Sequence, residues 1–416
     1  MIDYIVLLIF IISIYYTFKY KFIQFKCFKK TKEVFFNEKS KSAYEAFIVS
    51  IGSVFGVGNI VGVTTAIIYG GPGSLLWMVI FAVFSSVFSI IENTLAVKYR
   101  VLINNEYRGG VSYYISNGLN KKVLSIIIAI FLVLGNSVIF QPLQVNTLSE
   151  AVNIGFNIPH YLIFLILSLF AIFFIFKGTK KIVSFSERIV PFMSIFFILI
   201  TILVIGCNIS KLPDVIILIF KDAFSLRCII GGGLFIGIKR SLFSHEAGLG
   251  TMTTISAMSN IEKHVNQGFV QCFGVFFDTV IMCSLTGIMI LIVNPNVGGY
   301  SDHNLIIDIY TKIFNNHIAG KYIAVLFMFM FALATIVSQY YLGESNLLYI
   351  SGKKENKIYK TLYQCLYIMG IYIGVYFSLG KIWKIIDYGM VVLGVINLAS
   401  IIKLEGKFKE ELIKNV

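Results

Sequence analysis

Glycine is concentrated at two places inside otherwise apolar stretches of the chain. Residues 50–62 contain four glycines, and so do residues 230–237. Glycine lowers the stability of a helix by up to about 1 kcal/mol per residue, so each stretch either packs closely against its neighbours or breaks a helix. A break frees backbone N–H groups, which bind an anion, and carbonyl oxygens, which bind a cation. We interpret both stretches as helices broken at mid-depth, with close packing through small residues as the alternative.

Charged residues within the apolar stretches form a second group of candidate functional residues, because a charge inside a membrane is costly. We predict that Arg240 forms a cytoplasmic gate or coupling pair with Glu246 or Asp278. A purely structural ion pair is the alternative. Glu92 lies near the inner end of its span, from which a carboxylate reaches the membrane interface. His245 is expected to be a solvated interface residue at an inner end.

The composition places these residues in lipid. The chain has 416 residues, of which 57% are hydrophobic and 13% are charged, and its mean hydropathy is +0.84. A soluble domain carries about 25% charged residues, so water cannot solvate this surface. The net charge of +14 does not indicate a nucleic-acid partner, because 26 of the 35 lysines and arginines fall in or beside one set of alternate loops and 7 in or beside the other, with Lys239 and Arg240 inside a span. That asymmetry is typical of a multi-pass protein of the cell (inner or plasma) membrane, here with its N-terminus outside and its C-terminus in the cytoplasm.

The sequence contains no motif of a catalytic or metal-binding site. Its six cysteines show no CxxC spacing, which favours packing over metal or disulfide chemistry. GxSxG, HExxH and Walker motifs are absent from it. We therefore predict that the protein is not an enzyme.

Eleven membrane spans are predicted, with boundaries good to about four residues. They cover residues 2–18, 44–69, 73–97, 122–146, 159–177, 189–207, 228–256, 266–293, 321–350, 359–379 and 382–403. The longer outer loops are 208–227 and 294–320, and the apolar spacing of the first indicates a helix lying on the outer surface.

These spans imply an internal repeat. The predicted parts are a peripheral N-terminal helix (1–18), a basic cytoplasmic loop (19–43), a first five-helix repeat (44–207), an outer amphipathic segment (208–227), a second five-helix repeat (228–403) and a cytoplasmic tail (404–416). Each glycine-rich stretch opens one set of five spans, and the two sets enter the membrane from opposite sides. Paired glycine-interrupted segments in an inverted repeat are a pointer to a transport site.

An ordered set of motifs resembles the alanine/glycine:cation symporter family. The matching segments are GVGNIVGV (56–63) and GGPG (70–73), similar to the family's GTGNIAGV and GGPGA; residues 92–100, similar to E-x-x-x-AVKYR; residues 108–114, similar to RGGPMYY; and RSLFSHEAGLG (240–250), similar to RGLFSNEAGLG. The likeness extends over about residues 40–403.

This resemblance implies an all-α LeuT-type fold, in which two inverted repeats of five helices follow one extra N-terminal helix. It also implies symport of a small neutral amino acid such as alanine or glycine with a sodium ion, by alternating access. A proton is the alternative coupling ion. The partners are then the amino acid and membrane lipid, and the working unit is a monomer.

The same resemblance assigns residues to two binding sites. The substrate-binding residues are Gly56, Val57, Gly58, Asn59, Gln144, Phe235 and Gly237, and the sodium ligands are Gly52, Phe55, Phe331 and Thr335. The substrate carboxylate would lie near the N–H groups of Val57 and Gly58, and carbonyls near Phe235 would accept from its ammonium group. Sodium would bind backbone carbonyls and the hydroxyl of Thr335.

Structural roles are the alternatives for several of these residues. The hydroxyl of Thr335 commonly bonds back to its own helix, Gln144 is suited to an interhelical hydrogen bond, and Asn59 is suited to pairing backbone freed by a break. Phe235 is suited to plain packing.

Several positions depart from the family pattern: Phe140 and Gln141 replace a Gly-Asn pair, Ser241 a Gly, His245 an Asn, Ala334 a Ser and Gln339 a Trp. Without the hydroxyl at position 334, sodium binds more weakly, a water replaces the hydroxyl, or a proton is the coupling ion. The alternatives for the whole protein are a proton-coupled or uncoupled transporter, or a non-transporting amino acid sensor.

Cysteine labelling tests the predicted topology. A cysteine introduced at Lys30, in the basic loop, is expected to react only from the cytoplasm, and one at Val416, in the tail, is expected to behave in the same way. Reaction of either cysteine from outside would overturn the repeat assignment.

Overall fold

The long helices carry apolar residues on both faces, one packed against other helices and the other pointing outward. In Thr179–Cys207, Phe197 and Val204 are buried, whereas Leu199 and Ile202 are about half exposed. A helix that is apolar all round belongs inside a protein or in a membrane, and here lipid covers the outward face.

The computed structural model describes residues 2–37, 40–103, 105–173, 175–177, 179–293, 302–314, 316–352, 354 and 356–414. Val416, the second labelling position, lies outside these residues. The helices up to the middle of the chain are α1 (Ile2–Lys19), α2 (Cys27–Lys32), α3 (Lys41–Val54), α4 (Val61–Gly70), α5 (Ser74–Lys98), α6 (Val111–Leu119), α7 (Lys122–Leu134), α8 (Gln141–Phe156), α9 (His160–Phe173) and α10 (Thr179–Cys207). A two-stranded antiparallel hairpin, β1 (Val101–Ile103) and β2 (Glu106–Arg108), lies between α5 and α6.

The second half of the chain is also helical. Its helices are α11 (Leu212–Ala223), α12 (Leu226–Ile230), α13 (Gly233–His245), α14 (Thr253–Ser256), α15 (His264–Val275), α16 (Ser284–Val293), α17 (Asp302–Phe314), α18 (His317–Ile350), α19 (Lys357–Tyr376), α20 (Leu379–Lys403) and α21 (Glu405–Ile413). Two pairs of consecutive helices are each joined by a π-helical segment. Gly135–Ile139 joins α7 to α8, and Phe276–Cys283 joins α15 to α16.

Helical structure covers each of the eleven predicted spans, but their number stays a prediction. Among the described residues, seven helices are long and apolar enough to cross a membrane, and a bent pair, Lys41–Val54 with Val57–Gly70, makes up to eight. The predicted outer segments also contain helices. In α11, Val215 and Ile219 are buried while Ile217 and Phe220 are exposed. Helix α17 occupies part of the 294–320 loop, and residues 294–301 lie outside the described part of the chain.

The two ends of the bundle are named here by their loops. The basic end carries the turns that follow α5, α14 and α18, and the far end carries the turns that follow α4, α8 and α10. Ion pairs tie α1 at both ends: Lys19 to Glu405 of α21 (2.5 Å) at the basic end, and Asp3 to Lys239 of α13 (2.9 Å) at the far end.

Candidate functional site

The first glycine-rich stretch breaks its helix at mid-depth. Helix α3 ends at Val54, a single 3₁₀ turn covers Val57–Asn59, and α4 begins at Val61, with a bend of 56° between the two halves. The turn is fully buried. Because backbone groups freed inside a membrane need other partners, the atoms that pair them define the site.

A side chain from α8 pairs the freed backbone at Val57. The backbone N–H of Val57 donates to Oε1 of Gln144 over 3.0 Å, and Gln144 is 2% exposed. Both predictions for Gln144 are therefore compatible with its position, since it forms an interhelical hydrogen bond and also faces the break. Its amide oxygen contacts the N–H group that the resemblance assigns to a substrate carboxylate.

Gly56 and Gly58 bring the broken backbone close to two other helices. A Cβ atom on Gly56 would collide with Oγ1 of Thr335 and lie 3.0 Å from Oε1 of Gln144. A Cβ atom on Gly58 would lie 3.3 Å from the ring of Phe243. Glycine at these positions thus permits the close approach of backbone, α18 and α13 that a small ligand site requires.

Three of the predicted cation ligands lie together beside the break. The hydroxyl of Thr335 is 3.3 Å from the carbonyl oxygen of Gly52 and 3.3 Å from that of Phe331. Its single O–H is therefore shared between a carbonyl of α3 and one of its own helix. Phe55 caps α3, and its ring packs on that of Phe331 with centroids 5.0 Å apart. Carbonyl and hydroxyl oxygens are the ligands that hard cations prefer, so these residues fit a sodium ion.

Asn59 and Asp278 pair with each other, so Asp278 is not the partner of Arg240. The side-chain amide of Asn59 donates to Oδ1 of Asp278 over 2.8 Å and to its backbone oxygen over 3.1 Å. Ser244 (2.6 Å) and Thr279 (2.9 Å) donate to Oδ2 of the same carboxylate. This buried cluster fastens the first break to the end of α13 and to the π-helical segment after α15.

The predicted pairing of Arg240 with Glu246 or Asp278 is wrong. Arg240 pairs with Asp387 of α20, and its guanidinium lies 3.6 Å from the ring centroid of Trp383. Lys239 is 3.8 Å from the same carboxylate. These residues line a cavity of about 240 Å³ together with Tyr69, near the last turn of α4 and the first turns of α20. The pair therefore lies on the far-end side of the first break, and Glu246 does not join it.

The second break also lies elsewhere than predicted. Phe235 and Gly237 lie within the continuous helix α13, where their carbonyls bond along the helix instead of facing a ligand. A Cβ atom on Gly237 would lie 2.5 Å from the backbone oxygen of Ser74, so this glycine packs against α5. The glycines at 231 and 232 form only a short turn before α13. The longer non-helical segment, 246–252, separates α13 from α14 and is called the second break below.

The second break begins with an abrupt turn at Glu246, which is 6% exposed. The φ angles of Glu246, Gly248 and Gly250 are 55°, 91° and 79°. This region of backbone conformation favours glycine over other residues. The turn starts directly after His245, the last residue of α13, so it ends the same helix that carries Arg240.

Two buried residues, Glu92 and His245, anchor this second break. Both were predicted to lie at the membrane interface, and their burial shows that this prediction is wrong. Glu92 is 1% exposed, and its carboxylate accepts from the N–H of Gly248 (3.2 Å) and from Nδ2 of Asn397 (2.7 Å). His245 is 2% exposed, and its Nδ1 accepts from the N–H of Ala247 (2.9 Å). Glu92 could be singled out from the sequence by its place inside an apolar span. Its partners, Gly248 and Asn397, lie on distant segments and carry no comparable signal.

Aromatic residues close the far-end side of the first break. The ring of Phe243 contacts that of Trp383 edge-on (centroids 5.0 Å apart) and lies 6.5 Å from that of Phe140. Phe243 was not predicted as a site residue. It lies within the RSLFSHEAGLG motif, three residues after Arg240, which places both side chains on one face of α13.

Comparisons with known proteins agree with this architecture. A model of the sodium:alanine symporter family matches residues 1–415. The amino-acid carrier protein AlsT of Bacillus subtilis (strain 168) is 34% identical over 403 residues, which cover 94% of this chain and 84% of AlsT. The chain belongs to the sodium:alanine symporter family. Its members are transporters and not enzymes, which confirms the predicted family and class.

Within the family, the sodium/alanine symporter AgcS of Methanococcus maripaludis is 28% identical over 383 residues, which cover 89% of this chain and 83% of AgcS. The crystal structure of MhsT in complex with L-phenylalanine is similar to this fold, with a TM-score of 0.64 over 89% of this chain and 94% of MhsT, at 14% identity. This likeness confirms the predicted LeuT-type helical fold.

Alanine at Gly56 is expected to weaken ligand binding at the first break. Its Cβ would displace both Thr335 and Gln144, whereas a Cβ on Gly62, in α4, would meet nothing within 4 Å. We expect Gly56→Ala to lower the affinity for the amino acid by at least about tenfold, equivalent to about 1.4 kcal/mol. Gly62→Ala, the matched control, should bind normally. Calorimetry on the purified variants measures the difference, and equal affinities would remove the first break from the site.

Proposed function

We propose that this chain takes up a small neutral amino acid together with a sodium ion, by alternating access around the first break. The observation that carries the proposal is the hydrogen bond from the N–H of Val57 to Oε1 of Gln144 inside a buried helix break. A backbone donor with a replaceable partner at the start of a half-helix is a binding site for an anion such as a carboxylate.

A substrate carboxylate would replace the oxygen of Gln144 at this donor. Hydrogen bonds to an ionised acceptor are roughly twice as strong as neutral ones, so the exchange favours the anion. The displaced side chain retains an NH₂ group that can donate to the same carboxylate. Gln144 would therefore pair the N–H of Val57 in the empty site and bind the substrate when it enters. Gly56 and Gly58 would allow the substrate carboxylate to approach the backbone N–H groups closely.

The crowding around the break supports a small substrate. Only 3.3 Å would separate a Cβ on Gly58 from the ring of Phe243, and Phe140 packs against that ring from another side. A large side chain would have to displace these rings. The buried carboxylate of Asp278 is already paired by Asn59, Ser244 and Thr279, which favours a neutral side chain over a basic one.

Sodium is the proposed coupling ion. The carbonyls of Gly52, Phe55 and Phe331 and the hydroxyl of Thr335 are its proposed ligands, as neutral oxygens suited to a hard cation. The relative AgcS is named a sodium/alanine symporter, which supports the same ion. Asp278 and Glu246 then have positioning roles at the two breaks and do not form the gate.

Uptake into proteoliposomes tests the proposed function. Labelled alanine and glycine should accumulate when a sodium gradient is imposed, and should not accumulate when sodium is replaced by choline. A proton gradient imposed alone is the second arm, and accumulation in that arm alone would replace sodium by a proton. Absence of uptake in both arms, with binding retained, would favour a sensor.

The pair Arg240–Asp387 is proposed to close the far end of the pathway. It lies beyond the rings of Phe243 and Trp383 and is largely buried, since Arg240 is 3% exposed. In an Arg240→Gln variant, Asp387 would keep only Lys239, whose Nζ lies 3.8 Å from its carboxylate. Loss of one partner of a buried ion pair is destabilising, so the closed state should be weakened in this variant.

A cysteine at Thr65, which lines the cavity beside the pair, reports this change. We expect Arg240→Gln to increase the labelling rate at Thr65→Cys and to reduce uptake. The double exchange Arg240→Asp with Asp387→Arg should partly restore both. Lys360→Gln, which breaks the pair Lys360–Glu344 (3.0 Å) elsewhere in the chain, is the matched control. Unchanged labelling in Arg240→Gln would show that the pair is not a gate.

A further inference from the structure

Helices α10 and α18 pack against Gly52 of α3, and hydroxyl groups of both face the position of its missing side chain, which is called the gap below. A Cβ atom on this glycine would lie 2.8 Å from Cγ2 of Val190, 3.4 Å from Oγ of Ser338 and 3.7 Å from Oγ of Ser186. Val190 and Ser186 belong to α10, and Ser338 belongs to α18. Two hydroxyl groups from different helices therefore point at the same turn of α3, beside the carbonyl that accepts from Thr335.

Both hydroxyls are buried without a partner. Ser186 and Ser338 are 0% exposed, and neither Oγ atom has a hydrogen-bond partner among the described residues. Buried polar groups are nearly always paired in folded proteins, because an unpaired one forfeits its bonds to water. Two such groups at one gap therefore indicate a ligand that supplies the missing contacts.

Ser338 extends the row of oxygens already assigned to the cation. Phe331, Thr335 and Ser338 are spaced i, i+4 and i+7, so they lie on one face of α18. Ala334, at which the family pattern has a serine, offers no oxygen. Ser338 lies about one turn further along the same helix, and Ser186 adds an oxygen from α10.

We propose that the hydroxyls of Ser186 and Ser338 are ligands of the coupling cation and replace the hydroxyl that is missing at Ala334. This inference rests on the proposed sodium-coupled function and extends it to two residues and a third helix. The ligand is a sodium-sized hard cation rather than a proton, because hydroxyls and carbonyls do not titrate in the physiological range. Oxygen-only coordination of this kind suits hard cations.

Sodium-dependent stabilisation of the purified protein tests the proposal without transport. The midpoint of thermal unfolding is measured in increasing NaCl at constant ionic strength with choline chloride, and the half-saturating sodium concentration is the readout. Ser186→Ala and Ser338→Ala should each raise that concentration by about tenfold or more, as loss of a residue that supports a metal site does. Thr335→Ala should act in the same direction.

A matched control is available in α9. Ser168 is also buried (8% exposed) with an unpartnered hydroxyl among the described residues, so Ser168→Ala makes the same chemical change outside the gap. Its sodium dependence should equal that of the wild type. Ser338→Cys gives a second variant of similar size, and its soft sulfur should bind sodium as poorly as alanine does.

The outcomes separate this proposal from the proposed function. A wild type that sodium does not stabilise would overturn sodium coupling and the serine ligands together. A wild type stabilised by sodium, with unchanged half-saturation in Ser186→Ala, Ser338→Ala and Ser338→Cys, would overturn the serine ligands alone and assign the gap to a bound water.

Discussion

A backbone polar group inside a membrane has no water to bond, and this constraint organises the polar residues around the two breaks. A helix can be broken there only where side chains or ligands pair the freed groups. At the first break, Gln144 pairs the N–H of Val57 and Asp278 pairs the side chain of Asn59. At the second, Glu92 pairs Gly248 and His245 pairs Ala247. Each break thus has its own dedicated partners on neighbouring helices.

The same constraint explains why the buried charges do not act as one gate. A carboxylate in lipid needs several donors, and Asp278 obtains three from Asn59, Ser244 and Thr279. Glu92 obtains its donors from Gly248 and Asn397. Glu92 therefore holds unwound backbone at the second break, and Asp278 holds the side chain of Asn59 at the first. Arg240 pairs instead with Asp387, nearer the far end.

The sequence was sufficient to predict the helical fold and the first break, and it named Gln144 and Thr335, which lie beside that break, but it missed Phe243. Glycine density locates a break correctly when the freed groups also find partners, as they do at Gly56. It fails at 230–237, because Gly237 packs against Ser74 and the actual break follows His245, where Gly248 and Gly250 adopt positive φ. The pairing of Arg240 with Asp387 joins positions 147 residues apart, and a single sequence carries no signal for such a partner.

The proposed ion and substrate sites share one piece of backbone, and this sharing is what would couple them. Thr335 bonds the carbonyl of Gly52, and both its hydroxyl and the oxygen of Gln144 lie against Gly56. A cation at Gly52 fixes the end of α3, and a carboxylate at Val57 fixes the turn that follows. Each ligand therefore stabilises the same arrangement of the first break. Two ligands that favour one conformation raise each other's affinity by the same factor, so symport requires no contact between the ion and the amino acid.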